Sequence, residues 1–202
     1  MQSTFKKFML FPNFLPWLLA VGGTIGTFAS LMLSVEEFHF LKNPSAPLSC
    51  DINPIVGCGS AMSTWQGHVL LGIPNQLFGI AAFAAIATLG VVLINNIKLP
   101  KWMWQSLTAG LFGALLFVHW FIYQSIYVLE RLCPYCMATW VVVIPMFWYT
   151  FLFALKSGYL KSLRVPVKAQ DFMPKHHLDI LMAWFLVIIG LIVQHFWYYF
   201  AG

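Results

Sequence analysis

The four cysteines are the residues of this sequence best suited to chemistry, and their spacing indicates thiol–disulfide exchange. Cys133 and Cys136 form a Cys-x-x-Cys motif at the point where a charged loop gives way to a long apolar run. Because a helix N-terminus favours the thiolate, such a motif at a helix start is typical of redox-active sulfur. Cys50 and Cys58 are separated by seven residues in a loop, which we expect on the same side of a membrane as the motif.

The sequence alone permits three pairings of four cysteines. Proximity favours Cys50–Cys58 and Cys133–Cys136 disulfides in a resting oxidised form, with a transient Cys58–Cys133 link between them. A structural zinc site is one alternative, but it would need four thiolates, usually in pairs spaced by two to four residues, which Cys50 and Cys58 fit poorly. Purely structural disulfides are the other alternative, although a Cys-x-x-Cys ring is too small to stabilise a fold much through loop entropy.

The elements that must position these sulfurs are membrane-spanning helices. Of the 202 residues, 60% are hydrophobic and 8% are charged, against about 25% charged in a typical soluble domain. Five weakly charged stretches approach the roughly 20 residues that a bilayer requires, so we predict an all-α integral membrane protein. With so little chain outside the membrane, residues 1–202 are expected to form a single domain. The predicted spans are residues 11–33, 75–94, 105–129, 133–155 and 178–200.

The placement of Lys and Arg predicts the orientation of these spans. If the N-terminus is cytoplasmic, nine basic residues lie inside and only Lys42 and Arg131 lie outside. We therefore predict a multi-pass protein of the cell inner (plasma) membrane, with the C-terminus and all four cysteines exterior. The basic loop 156–175 is interpreted as an anchor at anionic lipid rather than as a nucleic-acid-binding patch. In the first span, Gly22 and Gly26 have the small-xxx-small spacing that lets helices approach closely.

The main exterior segment is predicted over residues 34–74. It begins with a mixed acidic and aromatic stretch, residues 36–41, which could lie flat at the membrane interface. Asn53 followed by Pro54 is typical of a helix N-cap with proline at the first helical position. A short helix is therefore predicted to carry Cys58. A loop of this length is more often functional than idle.

Exchange between the cysteine pairs would need a terminal electron acceptor. The sequence has no Gly-rich dinucleotide motif, no Walker loop and no convincing histidine pair for a haem or a metal. A quinone dissolved in the membrane needs no such motif, only an aromatic-lined cavity beside a thiol and one or two hydrogen-bond donors. Asn75, at the head of the second span, is the candidate donor. The candidate walls are Phe78, Phe83 and Trp140.

At these residues the chain resembles the vitamin K epoxide reductase family, and in particular its bacterial members. The resemblance covers roughly residues 11–155. Its specific parts occur in a fixed order on the predicted topology. They are the loop pair Cys50 and Cys58, the Ser63-Thr64 that follow, the Asn75-x-Leu77-Phe78-Gly79 opening of the second span, and Cys133-x-x-Cys136 opening the fourth.

The resemblance implies a four-helix transmembrane bundle around a quinone of the ubiquinone or menaquinone type, with the exterior loop capping the pocket. In this sequence a fifth transmembrane helix is added to that bundle. Cys50 and Cys58 would be the shuttle pair, and Cys133 and Cys136 the pair at the quinone. We also expect the helix dipole to favour a thiolate at Cys136, within the first turn of the fourth helix.

The resemblance further implies that Asn75 donates a hydrogen bond to a quinone oxygen and that Phe78 and Phe83 line the pocket. One position departs from the family pattern. The animal members carry tyrosine four residues after the second active-site cysteine, where this sequence has Trp140. An indole N–H can still donate a hydrogen bond, but with a different reach.

The implied activity is a quinone-coupled thiol oxidoreductase that supports disulfide-bond formation in exterior proteins. Many bacterial relatives add an exterior thioredoxin-like domain after a fifth span. This sequence stops at Gly202, so the expected partner is a separate exterior protein of thioredoxin-like fold, similar to the periplasmic thiol oxidants. Three alternatives stay open. The first is that quinone or vitamin K epoxide reduction is the physiological purpose, with the same residues. The others are membership of the four-span disulfide-bond oxidases and a non-enzymatic membrane module braced by disulfides.

Overall fold

Five long helices form the frame of the protein. A computed structural model describes residues 11–43, 48–160 and 165–201. Each long helix is apolar and long enough to cross a membrane, so the protein is an all-α, multi-pass membrane protein in contact with lipid. The long helices are α1 (Phe11–Lys42), α3 (Asn75–Ile94), α4 (Lys101–Tyr127), α5 (Pro134–Lys156) and α7 (His177–His195). The short ones are α2 (Gly59–Ser63), a 3-10 turn (Trp65–His68), α6 (Val167–Lys175) and α8 (Trp197–Ala201).

Each predicted span corresponds to one of the five long helices, but three ends differ by four or more residues: the end of the first span, the start of the third (Lys101 rather than residue 105) and the end of the fifth. The second span coincides with α3, whereas α1 continues to Lys42 instead of ending near residue 33. The stretch 36–41 therefore does not lie flat at an interface, and that prediction is wrong. It continues α1, and Glu37, a residue only 7% exposed, has a hydrogen-bonding partner in the segment that follows the helix. At the other end of the chain, α7 stops at His195 and a separate short helix follows.

Helices α1 and α3 approach each other closely because glycines lie at their contact. A methyl group on Gly23 would meet the backbone of Ala87, and one on Gly90 would meet the backbone of Ala20. Of the predicted small-xxx-small pair, Gly26 packs against the Phe83 ring of α3, whereas Gly22 faces the Met146 side chain of α5. Close backbone approach of this kind replaces the hydrophobic effect, which does not drive helices together inside a bilayer. Helix α5 packs against α1 and α4 and is the most buried helix of the bundle.

Hydrogen bonds attach the fifth long helix to the other four. Trp184 Nε1 donates to His119 Nε2 at 2.8 Å, and His119 Nδ1 lies 2.9 Å from the Leu115 carbonyl oxygen. At the start of α7, the His177 carbonyl oxygen accepts from Trp148 Nε1 at 3.1 Å. Polar groups within a membrane protein pair in this way because lipid offers them no partner.

The segment 48–74, here called the cap, covers one end of the bundle. The helix predicted to begin at Asn53 is absent. Asn53 Oδ1 instead accepts from the backbone N–H of Ile55 at 2.9 Å and of Val56 at 2.7 Å, which closes a turn. Val56 then forms a parallel bridge with Leu132, which keeps the chain extended. Only after this bridge does α2 begin, with Cys58 at its N-cap.

Candidate active site

Three of the four sulfur atoms lie together beneath the cap. Cys50 and Cys58 are joined in the predicted disulfide, and Cys58 Sγ lies 3.4 Å from Cys133 Sγ. Cys58 is fully buried and Cys133 is 2% exposed. Apolar side chains enclose the sulfurs, among them Leu48 and Met62 of the cap. Because the two sulfurs are in contact, exchange between the pairs requires little displacement of either.

Local polar contacts hold each side of this sulfur contact in place. Asp51 Oδ1 accepts from the backbone N–H of Cys58 at 2.9 Å and of Gly59 at 3.5 Å. The side chain that caps the start of α2 is therefore Asp51 and not Asn53, the residue that the sequence predicted. On the other side, Leu132 accepts from Gly57 N–H at 3.0 Å and ties the cap to the residue before Cys133.

Cys133 occupies the N-cap of α5, and its sulfur accepts a hydrogen bond from the backbone N–H of Cys136 at 3.4 Å. The pKa of Cys133 is lowered, and the largest cause is a hydrogen bond from the Cys136 thiol. The backbone N–H groups of Cys136 and Tyr135 lower this pKa further, whereas burial of the thiol raises it. Dipole stabilisation was expected at Cys136, but the sulfur at the helix end belongs to Cys133. The favoured thiolate is therefore the one that contacts Cys58.

Cys133 and Cys136 are both thiols in this structure, so the predicted Cys133–Cys136 disulfide is not formed. The Cys133 sulfur is directed instead at the Cys136 N–H and at Cys58 Sγ. The zinc alternative needs four thiolates, and the disulfide between Cys50 and Cys58 removes two of them. The arrangement combines one disulfide and two thiols in contact, which is the composition of a thiol–disulfide exchange site.

A cavity of about 450 Å³ lies between the bundle and the cap, and Cys136 lines it. Its volume falls within the usual range of sites for small organic ligands. The wall is mostly apolar and aromatic, contributed by α1, α3, α4, α5 and the cap. All four residues predicted from the sequence as quinone contacts line this cavity: Asn75, Phe78, Phe83 and Trp140.

Asn75 also holds the cap. Its Nδ2 donates to the Gln66 carbonyl oxygen at 2.6 Å, and its Oδ1 accepts from the Val69 N–H at 3.1 Å. An amide nitrogen carries two hydrogens, so one remains for a ligand in the cavity. Sequence reasoning assigned Asn75 to ligand binding alone, because the residues that its side chain contacts are known only once the cap is placed.

Sequence reasoning missed a polar group at the edge of the cavity. Gln76 lines the cavity, and its Nε2 donates to the carboxylate of Glu37 on α1. The other oxygen of Glu37 lies 2.9 Å from His68 Nε2 in the 3-10 turn. A signal was present in the sequence: an acidic residue one turn above an apolar span needs a partner if the helix continues. The interpretation of this stretch as an interfacial one hid that signal.

The comparisons with known proteins agree with the geometry. No curated protein is significantly similar to the chain. Residues 17–151, which contain both cysteine pairs, α3, α4 and most of α1 and α5, match the profile described as the Vitamin K epoxide reductase family. That family consists of oxidoreductases associated in general with quinones or vitamin K. Because the match covers well over half of the 202 residues, the chain belongs to the vitamin K epoxide reductase family.

Proposed function

We propose that the protein is a quinone-coupled thiol oxidoreductase that takes electrons from an exterior thioredoxin-like dithiol protein and passes them to a membrane quinone. Electrons would pass through Cys50 and Cys58 to Cys133 and Cys136. The observation that carries the proposal is the 3.4 Å contact between Cys58 Sγ and Cys133 Sγ, together with the place of Cys136 in the wall of the cavity.

The exchange balances as a series of sulfur substitutions. The partner's thiolate attacks Cys50, and Cys58 leaves as a thiolate. Cys58 then attacks Cys133 of an oxidised inner pair, and Cys136 leaves. The partner's second thiol releases Cys50 and closes the partner's disulfide. Cys50 finally attacks Cys58, which re-forms the outer disulfide and frees Cys133.

The redox state of the structure is the one expected at the end of this series. The outer pair is a disulfide and both inner sulfurs are thiols. The inner dithiol then holds the two electrons that the partner has lost. The low pKa of Cys133 makes it a better leaving group when Cys50 re-forms the outer disulfide.

The residues of the cavity suit a quinone headgroup. Phe83 and Trp140 are buried in the wall, and Phe78 is partly exposed beside them. Asn75 retains one amide hydrogen that could bind a carbonyl oxygen. A quinone of the ubiquinone or menaquinone type would supply a two-electron acceptor that diffuses in the membrane. The protein's own part is to exclude water from the inner thiols and to keep Cys136 at the cavity wall.

The exterior position of the cap rests on the asymmetry of the basic residues, with nine of eleven on the other side of the membrane. An exterior cap gives the outer disulfide access to secreted partners and to an oxidising compartment. The family description supports a second candidate in which electrons follow the same route but the reduction of a quinone or of vitamin K epoxide is itself the physiological purpose. Turnover with vitamin K epoxide in place of a quinone would favour this second candidate.

The test combines the purified protein with a reduced thioredoxin-like partner and either ubiquinone or menaquinone, and it follows quinol formation. The wild type should turn over with at least one of these quinones. Cys136→Ala should abolish quinol formation while the fold survives, because the inner pair can no longer become a disulfide. A bracing role predicts the reverse, a loss of stability without any activity to lose.

Cys50→Ala is the matched control for the electron route. It should fail with the protein partner, because the entry sulfur is missing. It should still form quinol with a small permeant dithiol that reduces the inner pair directly. If Cys50→Ala accepts electrons from the protein partner as fast as the wild type, the proposed route is wrong.

A further inference from the structure

A buried carboxylate lies at the edge of the cavity, outside the sulfur relay. Glu37 is 7% exposed, and its two oxygens have different partners, His68 Nε2 at 2.9 Å and Gln76 Nε2. A buried charge is costly unless it is paired. The position of Glu37 therefore calls for an explanation beyond the continuation of α1.

The hydrogen-bonding roles show that Glu37 and His68 share one acidic proton. His68 Nδ1 lies 3.2 Å from the Thr64 carbonyl oxygen, and a carbonyl oxygen can only accept, so Nδ1 must carry a hydrogen. The contact between Nε2 and the carboxyl group then requires one more proton. Either this proton lies on His68 Nε2, which makes an imidazolium beside a carboxylate, or it lies on Glu37, which makes a carboxylic acid that donates to Nε2.

This pair adjoins both the cavity and the surface. Leu33 and Ser30 precede Glu37 by about one and two turns on the same face of α1, and both line the cavity. Gln76, which donates to Glu37, lines it as well. On the other side, the His68 side chain is 28% exposed and can exchange protons with solvent.

Oxidation of the inner dithiol leaves a proton deficit at the cavity. When Cys133 enters as a thiolate, conversion of Cys133 and Cys136 to a disulfide releases two electrons and only the one proton of the Cys136 thiol. A quinol holds two protons more than its quinone. One further proton must reach the cavity for each pair of electrons.

We propose that Glu37 and His68 form the proton-delivery site of the cavity, in which Glu37 supplies the second proton of quinone reduction and His68 restores it from the exterior. This assignment rests on the proposed function. Gln76 is a positioning residue, because its amide fixes the carboxyl group at the cavity edge. The step converts the inner dithiol to the Cys133–Cys136 disulfide and the quinone to a quinol, and it leaves the Glu37–His68 pair one proton short until His68 takes up a proton from solvent.

The surroundings of the pair contain few competing groups. Among the residues that the structure describes, His68 is the titratable group in hydrogen-bonding contact with Glu37, and Gln76 is neutral. The neighbouring Glu36 points to a different site, where it accepts from the Ser49 backbone N–H at 3.2 Å. Asp51 belongs to the α2 cap beside Cys58.

The test is Glu37→Gln, with Glu36→Gln as the matched control on the adjacent carboxylate. A glutamine at position 37 can accept from Gln76 and donate to a neutral His68, so the contacts survive while the acidic proton is lost. Quinol formation should fall about 100-fold, the lower end of the usual contribution of a general acid. Its dependence on pH should also change. Glu36→Gln should retain both the wild-type rate and the wild-type pH profile.

A second readout does not depend on turnover. Infrared difference spectra between the oxidised and reduced wild-type protein should contain carboxyl and imidazole bands, which Glu37→Gln should lose and Glu36→Gln should keep. Exchange between the cysteine pairs should be unchanged in both variants. If Glu37→Gln forms quinol at the wild-type rate and pH profile, the delivery site is wrong. Absence of quinol formation in the wild type would instead overturn the proposed function.

Discussion

The cap and the bundle hold their cysteines by different means. In the cap, side chains bind backbone groups over short distances in sequence, as Asp51 does for Cys58 and Asn53 does for Val56. In the bundle, glycines bring the helix backbones together, as at Gly23 and Gly90, and 12 of the 23 residues of α5 are buried. The first kind of contact can break and re-form singly, whereas the second requires whole helices to move.

This difference assigns separate tasks to the two cysteine pairs. A short segment held by single hydrogen bonds opens at lower free energy than packed helices do. We therefore expect the Cys50–Cys58 pair to move when it meets a partner, while Cys133 and Cys136 stay fixed beside the cavity. Substitutions at the junction of cap and bundle, in the bundle and at the sulfurs would test this contrast.

The largest effect is expected at Asn75, which joins the two regions. Asn75→Ala removes the hydrogen bonds to the Gln66 carbonyl oxygen and from the Val69 N–H. Two such bonds contribute about 1–3 kcal/mol together. The cap should exchange its amide hydrogens roughly 10- to 100-fold faster, as hydrogen–deuterium exchange over residues 64–74 would measure in the absence of quinone.

Asn95→Ala is the control for this change. Asn95 lies just beyond the other end of α3, and its Nδ2 bonds the Val91 carbonyl oxygen at 2.9 Å at the exposed surface. Its replacement should leave the cap unaffected. If Asn75→Ala weakens quinone binding without any faster exchange in the cap, Asn75 is a ligand contact only and the junction is held by other residues.

A smaller effect is expected where the bundle shapes the cavity. Gly26→Ala would place a methyl group against the ring of Phe83, a wall residue, so the ring must shift into the cavity. The expected cost is about 1 kcal/mol, the low end for overpacking. Quinone affinity should fall several-fold in an equilibrium titration. Gly22→Ala is the control, because its methyl group would meet the flexible Met146 side chain. Equal affinity in both variants would show that Phe83 does not limit the cavity.

The same contrast explains which features the sequence could predict. Apolar stretches of span length have only one stable solution in a bilayer, so α3 begins and ends where the pattern indicated. Cys58 also contacts Cys133, and the four predicted cavity residues line one cavity, where their roles stay predictions. In the cap, by contrast, an asparagine before a proline can begin a helix or close a turn. The bridge to Leu132, far away in sequence, selects the turn at Asn53.

The buried group at Glu37 could not be predicted for a related reason. Its two partners, His68 and Gln76, lie 31 and 39 residues away in sequence. A local pattern of acids and aromatics describes an interfacial helix as well as it describes a buried one. The distinction depends on whether another segment covers the helix, and that is a property of the folded cap.

The smallest effect concerns the pH dependence of the sulfur contact. A hydrogen bond from the Cys136 thiol is the largest cause that lowers the pKa of Cys133. Cys136→Ala removes this donor, and Cys136→Ser keeps one. In both variants Cys133 can attack Cys58 and release Cys50, whose appearance a maleimide label would measure. Attack requires the Cys133 thiolate, so its rate should rise with pH through the pKa of Cys133.

Loss of the donor raises that pKa towards the ordinary thiol value. Below the ordinary value, Cys136→Ala should therefore have less Cys133 thiolate and release Cys50 more slowly than Cys136→Ser. The midpoint of the rate against pH should lie higher in the alanine variant, and the two rates should converge in alkali, where both thiols are ionised. If the two midpoints coincide, the backbone N–H groups at the start of α5 are sufficient to stabilise the Cys133 thiolate without the side chain at position 136. Because those groups belong to the helix itself, that outcome would attribute the reactivity of Cys133 to its N-cap position rather than to the second cysteine of the motif.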